Sequence, residues 1–262
     1  WKFQIILSMK AFEIAQVIEK FAPLHLQEHW DNSGFCIGSP QQQVTKVLIG
    51  FDPTYSLIEE ARECGADMII THHPLIFSGL KKIAPEDLIG KAVIEAIKGD
   101  LVVYSCHTNM DKVLGGVSGT LASVLKMRDV EVLDADENGD GLGVVGFLEK
   151  PMTSEDILSH IKLSMGVGTL RHSKPLNSPI SKVALCGGSG RSLIKKAQSK
   201  GAQLYISGDI SYHDFYCPDN FMIVDVGHFE SEVQIMQVIY DILIENFPNF
   251  AVQFANSSIN PV

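Results

Sequence analysis

The apolar positions of the chain form a pattern that occurs twice. Residues 44–70 (VTKVLIGFDPTYSLIEEARECGADMII) and residues 180–206 (ISKVALCGGSGRSLIKKAQSKGAQLYI) align without a gap at an offset of 136. In each copy a short apolar run is followed by a turn, by a stretch with helical periodicity that ends at glycine, and by a second apolar run. This order predicts a βαβ unit whose two strands are parallel and joined by a right-handed crossover.

Similar patterns predict further helices and strands in the rest of the chain. A helix begins near Met9, with apolar positions at Ala11, Ile14, Ile18 and Phe21. The segment Asp134–Gly143 is polar and glycine-rich, which indicates a hairpin tip or hinge; it lacks the final glutamate of an EF-hand calcium loop. The other predicted elements are helices over Leu88–Ile97, Ser154–Met165 and Glu230–Phe247, and strands over Leu101–Ser105, Phe147–Glu149 and Phe221–Asp225.

The repeated pattern predicts an α/β fold with two related α/β halves that arose by internal duplication, with mixed sheets flanked by helices. The first half spans residues 9–125 and the second spans residues 126–229. We expect a C-terminal helix over residues 230–262 to pack back on the first half. Residues 1–8 lack an initiator methionine and a secretory signal pattern, so we expect them to be an extension that is not native to the fold.

Composition and charge narrow the classes of function. Of the 262 residues, 45% are apolar and 20% are charged, which is typical of a globular protein. The formal net charge of −10 disfavours broad nucleic-acid binding, because an acidic surface repels phosphates. No apolar run approaches the roughly 18 residues of a membrane span. We therefore predict a cytoplasmic protein that does not enter the membrane.

Three clusters of potential metal ligands follow predicted strands. The carboxyl ends of strands in parallel α/β sheets border ligand crevices, so side chains at these positions are candidates for chemistry. Two clusters have a structural alternative, namely histidines that are only hydrogen-bonded and a glutamate that only stabilises a helix N-terminus. In the remaining cluster Cys106 is either a nucleophile or a small buried residue. The clusters are Thr71-His72-His73-Pro74, Cys106-His107-Thr108-Asn109-Met110-Asp111 and Gly227-His228-Phe229-Glu230-Ser231-Glu232.

The donors in these clusters suit transition-metal ions. His228 and Glu232 are four residues apart, so a helix places them on one face. The donors are imidazoles and carboxylates, and the five scattered cysteines form no CxxC pair. This set suits Zn²⁺, Mn²⁺, Fe²⁺ or Ni²⁺. Five donors exceed the three of a single catalytic zinc site, whereas a carboxylate shared by two ions ~3.5–4 Å apart would use them all. We therefore predict two divalent metal ions per chain.

Six motifs occur in one order along the chain and together resemble a known family. They are WDNSGFCIG (30–38), THHP (71–74), CHTNMD (106–111), CGGSG (186–190), SGD (207–209) and GHFESE (227–232). These motifs resemble the NIF-three-like family, also named the GTP cyclohydrolase I type 2 family. The resemblance runs from about Met9 to the C-terminus. Longer members carry an inserted middle domain, for which this chain has no room.

The resemblance implies a dinuclear metal site and an oligomeric assembly. The positions that match the family's metal ligands are His72, His73, Asp111, His228 and Glu232, with Glu232 as the bridging carboxylate. The family assembles as a homohexameric ring whose metal sites face an internal cavity. We therefore expect this chain to form a homo-oligomer of that kind.

The metal site and the resemblance together predict a metal-dependent hydrolase. The expected reaction is GTP cyclohydrolase I-like, on a nucleotide or a related small molecule. His107 is the candidate catalytic residue, either for proton transfer or for orienting a ligand. The alternative is a metal-binding oligomeric scaffold, or a metal-sequestering protein, without turnover. The sequence identifies neither the native metal nor the substrate.

Three weaker features each allow a functional and a structural interpretation. The Gly187–Gly190 turn is either an anion-binding nest at a helix N-terminus or a plain tight turn. Asp209 and His213 either assist the metal site or serve the local fold. Trp30 and Asp31 either line the mouth of the cleft or serve as a core tryptophan beside a capping aspartate.

Overall fold

A computed structural model describes residues 7–262 of the chain. The predicted extension over residues 1–8 lies outside the described residues, apart from its last two positions. The chain forms two compact units, which we call the first unit (residues up to Met110 together with Met236–Val262) and the second unit (Asp111–Ile235). Among residues 7–262, no helix is both long enough and apolar enough to cross a membrane.

The first unit is built around a five-stranded mixed sheet. Its elements are β1 (Met9–Lys10), α1 (Ala11–Phe21), β2 (Gly34–Ile37), β3 (Gln43–Val44), β4 (Lys46–Gly50), α2 (Tyr55–Cys64), β5 (Met68–Thr71), α3 (Leu88–Lys98), β6 (Val102–Ser105), α4 (Thr108–Lys112), α9 (Ile235–Asn246) and β13 (Ala251–Phe254). Helix α4 extends beyond Met110, and helix α9 begins one residue before Met236. The strand order is β13-β4-β5-β6-β2, in which only the pairing of β2 with β6 is antiparallel. Strands β1 and β3 form a separate antiparallel pair.

The second unit is built around a six-stranded mixed sheet. Its elements are α5 (Val117–Val124), β7 (Met127–Ala135), β8 (Gly141–Met152), α6 (Ser154–Met165), β9 (Arg171–His172), β10 (Ile180–Leu185), α7 (Ile194–Ser199), β11 (Leu204–Ser207), β12 (Met222–Asp225) and α8 (His228–Glu232). The strand order is β7-β8-β10-β11-β12-β9, with β10, β11 and β12 parallel and the outer pairings antiparallel. The connection between β7 and β8 confirms the predicted hairpin tip within Asp134–Gly143.

The two copies of the repeat fold into the same local arrangement. In the first copy Val47 of β4 pairs in parallel with Met68 of β5, and in the second Val183 of β10 pairs in parallel with Leu204 of β11. Each residue of the second pair stands 136 positions after its counterpart, so the strands keep the same register. The predicted α/β fold with mixed sheets flanked by helices is confirmed. In the second copy, however, the helix is shorter and follows a 3₁₀ turn at Arg191–Leu193.

The inner strands β5, β6, β11 and β12 are buried at every position, as expected for parallel strands that are covered on both faces of the sheet. In the second unit, Leu204 and Ile206 of β11 contribute to one apolar cluster, while Tyr205, which lies between them, contributes to another. In the first unit, Leu48 and Ile69 lie in a cluster with helices α2 and α3. The sheets therefore provide rigid supports for the loops at their carboxyl ends.

Helix α6 occupies the range that the sequence predicts, because both of its ends are capped. The hydroxyl oxygen of Thr153 accepts a hydrogen bond from the backbone N–H of Asp156, which satisfies a donor in the first turn. Gly166 then adopts a left-handed conformation with φ of 68° and ends the helix.

The predicted C-terminal helix over residues 230–262 is instead two helices and a strand. The break between α8 and α9 falls at residues 233–234. There the side-chain amide of Gln234 donates to the carbonyl oxygen of Glu230. Helix α9 ends at Asn246, ahead of Pro248, which cannot donate a backbone hydrogen bond. Strand β13 then pairs with β4, and this segment belongs to the first unit.

The division between the units lies between Met110 and Asp111, whereas the sequence suggested a division after residue 125. Helix α5 accounts for the difference. Its residues Leu121 and Ala122 are fully buried in an apolar cluster with Val144 of β8, so the helix packs within the second unit.

Candidate metal centre

Three strands of the first unit end in register at one edge of the sheet. Gly50 of β4 pairs with Thr71 of β5, and Thr71 pairs with Ser105 of β6. Parallel strands present their carboxyl ends at the same edge, so the residues that follow these strand ends lie side by side. The residues two positions beyond the three strand ends are Asp52, His73 and His107.

The two adjacent histidines after β5 are both oriented by oxygen atoms. Nδ1 of the buried His72 lies 2.9 Å from the carbonyl oxygen of Cys106, and Nδ1 of His73 lies 2.7 Å from Oδ1 of Asp52. Because a carbonyl and a carboxylate oxygen only accept hydrogen bonds, each neutral ring carries its proton on Nδ1. The lone pair is then on Nε2. This is the arrangement in which an oxygen partner orients a histidine that binds metal through its other nitrogen.

His107 is held in the same manner by Asp31, whose side chain is fully buried. Nδ1 of His107 lies 2.7 Å from Oδ1 of Asp31, and the backbone N–H and hydroxyl of Thr108 donate to Oδ2. Burial by itself raises the pKa of Asp31, but the hydrogen bonds from His107 and Thr108 and the charge of His107 outweigh it. The net pKa of Asp31 is well below the ordinary aspartate value. Asp31 is therefore a carboxylate that fixes the orientation of the His107 ring.

The three histidines of the first unit form one cluster. Ligand atoms of His72, His73 and His107 all lie within 4.8 Å of one another. The ring centroid of His107 is 5.3 Å from the centroids of both other rings. Three imidazoles at this spacing can bind a single divalent ion. The position of His107 is therefore compatible with ligation as well as with the proton transfer that the sequence suggests.

In the second unit, His228 and Glu232 meet on helix α8. Nε2 of His228 lies 3.0 Å from Oε2 of Glu232, as expected for residues four apart on a helix. Nδ1 of His228 lies 2.7 Å from Oδ2 of Asp209, so a carboxylate again orients the ring. Asp209 has a φ of 53°, which is uncommon for a residue other than glycine and is often associated with functional sites. The side chain of Glu232 is buried, whereas Glu230 is half-buried.

Asp111, at the end of α4, lies with Glu232 near one buried thiol. Burial raises the pKa of Cys186, and the negative charges of Asp111 and Glu232 raise it further. The thiol is thus held in its neutral form, which disfavours a nucleophilic role for Cys186. Two carboxylates beside a buried group indicate a place where a divalent cation would relieve the concentration of negative charge.

The Gly187–Gly190 turn is committed to internal hydrogen bonds. The backbone N–H of Gly188 donates to the hydroxyl of Ser231, and that of Gly190 donates to the hydroxyl of Ser207. Backbone amides that already donate to side chains are not available to bind an anion. The structure therefore favours a tight turn whose close approach to α8 supports the Glu232 side chain.

Gly188 lies so close to Glu232 that its lack of a side chain has a testable consequence. A Cβ atom at this position would lie 2.1 Å from Oε1 of Glu232, and the φ of Gly188 is +59°. We expect Gly188→Ala to displace the Glu232 carboxylate and weaken divalent-metal affinity about 10-fold or more. The matched control is Gly166→Ala, because Gly166 has a similar φ of +68° and a Cβ there would have no atom within 4 Å.

Both glycine variants should lose about 1–2 kcal/mol of stability from an alanine in the left-handed region. Only Gly188→Ala should also lose metal affinity, which calorimetric titration with Zn²⁺ or Mn²⁺ measures. Equal affinities in the two variants would show that the Glu232 carboxylate is not constrained by the turn.

The structure brings together the predicted residues of each unit. In the first unit it places His72, His73 and His107 in one cluster, and in the second it places Glu232 against His228 and near Cys186 with Asp111. His213, which the sequence offered as a possible neighbour of the site, is exposed and packs against Tyr212 and Tyr216.

The sequence did not predict the orienting roles of Asp31 and Asp52, whereas for Asp209 it offered assistance to the metal site as one of two interpretations. Each of these carboxylates accepts from Nδ1 of a histidine at 2.7 Å. For Asp52 the sequence did contain a signal, namely its position. Asp52 stands two residues beyond the end of β4, just as His73 stands two residues beyond the end of β5.

These donors fit a divalent metal ion. Nitrogen and carboxylate donors without thiolates suit Zn²⁺, Mn²⁺, Fe²⁺ or Ni²⁺, and each clustered histidine is oriented by an oxygen. The fold and the donors define the class: a mixed α/β protein whose strand ends carry a histidine cluster that could hold a metal ion. A family model described as Duf34/NIF3 (NGG1p interacting factor 3) matches residues 9–261. The chain therefore belongs to the Duf34/NIF3 family.

Individual relatives agree with this assignment. The chain is 39% identical over 232 residues to a GTP cyclohydrolase 1 type 2 homolog of Clostridium perfringens, with 87% of this chain and 88% of the relative covered. It is 36% identical to a protein of the same name from Lactococcus lactis, with 84% and 86% covered. A crystal structure of a Bacillus cereus protein related to NIF3 superposes with a TM-score of 0.90 at 25% identity, covering 97% of this chain and 98% of that one. The resemblance drawn from the six motifs is thus confirmed.

Proposed function

We propose that this protein is a hydrolase that depends on two divalent metal ions per chain. The proposed ligands are His72, His73, Asp111, His228 and Glu232. The observation that carries the proposal is the shared orientation of the histidines, in which Nδ1 of His72, His73 and His228 each lies against an oxygen atom. In metal sites such an oxygen partner fixes the tautomer and the orientation of the ring, so that Nε2 is presented to the ion.

The metal ions, when bound, would acidify a water molecule and polarise the group that it attacks. The chain's own residues would supply orientation and proton transfer. His107 is held by the buried carboxylate of Asp31, so its Nε2 has a fixed direction and can move a proton to or from a reacting group. We keep His107 as the proposed catalytic residue.

The proposed substrate is a nucleotide or a related small molecule. The support comes from the relatives, which are named GTP cyclohydrolase 1 type 2 homologs. Ring opening of GTP is therefore the specific reaction to test first, because fold and metal site alone do not select a substrate. The ring-shaped homohexamer that the resemblance implies stays a prediction.

Asp111→Asn tests the proposal because it retains the shape of a ligand but removes its charge. We expect metal-dependent turnover, screened with GTP and a library of nucleotides, to fall at least about 100-fold, since residues that only orient ligands already cost 10–100-fold. The control is Asp219→Asn in the same unit, whose side chain is 93% exposed. Wild-type protein that binds metal but turns over no compound would favour the alternative of a metal-binding scaffold.

A further inference from the structure

Two large aromatic side chains lie exposed beside the histidine cluster of the first unit. Trp30 and Phe77 are each 49% exposed, and their ring centroids are 5.6 Å apart. The centroid of the His107 ring lies 6.2 Å from Trp30 and 6.1 Å from Phe77. A tryptophan and a phenylalanine that remain half in water next to a reactive cluster suggest a binding surface, because burial of these rings would be favourable.

The loops that carry the two rings are fixed by buried polar contacts. Trp30 precedes Asp31, whose fully buried carboxylate is anchored to His107 and Thr108. Nδ2 of Asn32 donates to the carbonyl oxygen of Ile76 at 2.7 Å, which ties this loop to the one that carries Phe77. The pair is thus held in place before any ligand arrives, and a preorganised surface loses little entropy on binding.

We propose that Trp30 and Phe77 form a stacking platform that binds the planar heteroaromatic ring of the substrate and presents it to the histidine cluster. The inference rests on the proposed function and deepens it, since it gives the substrate a chemical class. The platform would act through the faces of its rings, which accept any nucleobase. Recognition of one base over another would need hydrogen bonds from elsewhere.

The geometry of the pair determines how a ring would bind. A ligand inserted between two rings needs about 7 Å between them, which is twice the ~3.5 Å optimal separation of carbon atoms. Trp30 and Phe77 are only 5.6 Å apart with their planes inclined by 52°, so they pack against each other. The ligand ring would therefore stack on an outer face of the pair.

The positive charge expected at the metal site disfavours organic cations, which are the other common ligands of aromatic ring faces. Organic cations also bind over tryptophan and phenylalanine rings. A divalent ion at His72 and His73 would repel such a cation, because the His107 ring beside the platform is centred only 5.3 Å from the rings of both histidines. A neutral or anionic molecule with a planar ring is the class that both features accept.

The test compares two probes that differ only by the ring. Guanosine 5′-monophosphate and ribose 5-phosphate share the sugar and the phosphate, so metal contacts through the phosphate are common to both. We expect the metal-loaded full chain to bind the nucleotide at least about 10-fold more tightly by calorimetry, the value expected for one stacked base. Trp1 and Trp30 are the two tryptophans of the chain, so Trp30 fluorescence in a Trp1→Phe background should be quenched by the nucleotide alone.

The variants separate the platform from the rest of the site. Trp30→Leu and Phe77→Leu keep apolar bulk but remove a ring, and each should lose most of the preference for the nucleotide without changing metal content. Trp30→Phe should retain it. The control is Phe12→Leu, which removes a ring that is 36% exposed on α1 and packs near Lys10.

Several results would overturn the proposal. In the wild type, equal binding of guanosine 5′-monophosphate and ribose 5-phosphate, or binding of neither, would contradict the platform. A retained preference in Trp30→Leu, or a change of its mass by light scattering, would indicate another role for the surface, such as contact between copies of the chain. Ring-selective binding by metal-loaded protein that turns over no compound would leave the platform supported and refute the proposed hydrolase, so the two failures are distinguishable.

Discussion

Replacing Asp31 by asparagine is expected to lower the free energy of unfolding by about 3 kcal/mol, because it leaves buried hydrogen-bonding partners of a carboxylate unsatisfied. The Asp31 carboxylate accepts hydrogen bonds from His107, from Thr108 and from the neighbouring Asn32 and Ser33. An asparagine has one acceptor oxygen, and its amide group would face donors with another donor. A buried group left unsatisfied costs its full desolvation penalty.

Urea denaturation at pH 7 measures this loss, and Asp219→Asn supplies the control. Asp219 is almost fully exposed and lies 3.5 Å from Lys174, so its substitution should change stability by less than about 0.5 kcal/mol. A loss below 1 kcal/mol in Asp31→Asn would contradict the role of Asp31 as the anchor of the His107 ring.

The same prediction has a pH dependence with a definite sign. The pKa of Asp31 is lowered in the folded chain, so the folded state binds a proton on this group less readily than the unfolded state does. The stability that Asp31 contributes is therefore present above the ordinary aspartate pKa of about 3.9, and it is lost as the pH falls towards the folded-state value. The difference between wild type and Asp31→Asn should accordingly narrow below about pH 4.

The internal repeat made much of the fold predictable. Because the copies share an apolar pattern, the pairing of Val47 with Met68 implied the pairing of Val183 with Leu204. Several of the elements that the sequence did not predict are short or polar. Strand β13 has the four residues Ala251–Phe254, and in the hairpin strand β7 most residues are exposed or half-buried, so neither gives a strong apolar signal.

The positions of the candidate site residues were predictable where the residues adjoin a regular strand or helix. They were not predictable where a contact is made by a residue in an irregular loop. His72 and His73 follow an apolar strand, and Glu232 stands one helical turn from His228, so their positions follow from the sequence. The contact of His107 with Asp31 joins residues 76 positions apart. Asp31 lies in an irregular loop whose path is set by side-chain contacts, which no periodic pattern encodes.

Glu232→Gln is expected to lower the metal content of the protein at least about 10-fold while leaving the fold intact. The Glu232 carboxylate is buried and lies 3.0 Å from Nε2 of His228. It is also the carboxylate that the family resemblance implies as the bridging ligand. Two divalent ions ~3.5 Å apart repel each other four times as strongly as two unit charges, so a shared negative charge is needed to hold both. Glutamine retains the length and helix propensity of glutamate but supplies no charge.

Glu230→Gln is the matched control, since it makes the same chemical change two residues away on the same short helix. Glu230 is half-buried and stands in the first turn of α8, so its charge contributes a helix-dipole interaction of roughly 0.3–1 kcal/mol. Both variants and the wild type would be loaded with the same metal, desalted and measured by mass spectrometry. Metal loss confined to Glu232→Gln is the expected result, because the Glu232 carboxylate lies against His228 and Gly188. Equal loss in the two variants would mean that α8 responds to the removal of any charge, and full retention in Glu232→Gln would mean that the metal ions are held without this carboxylate.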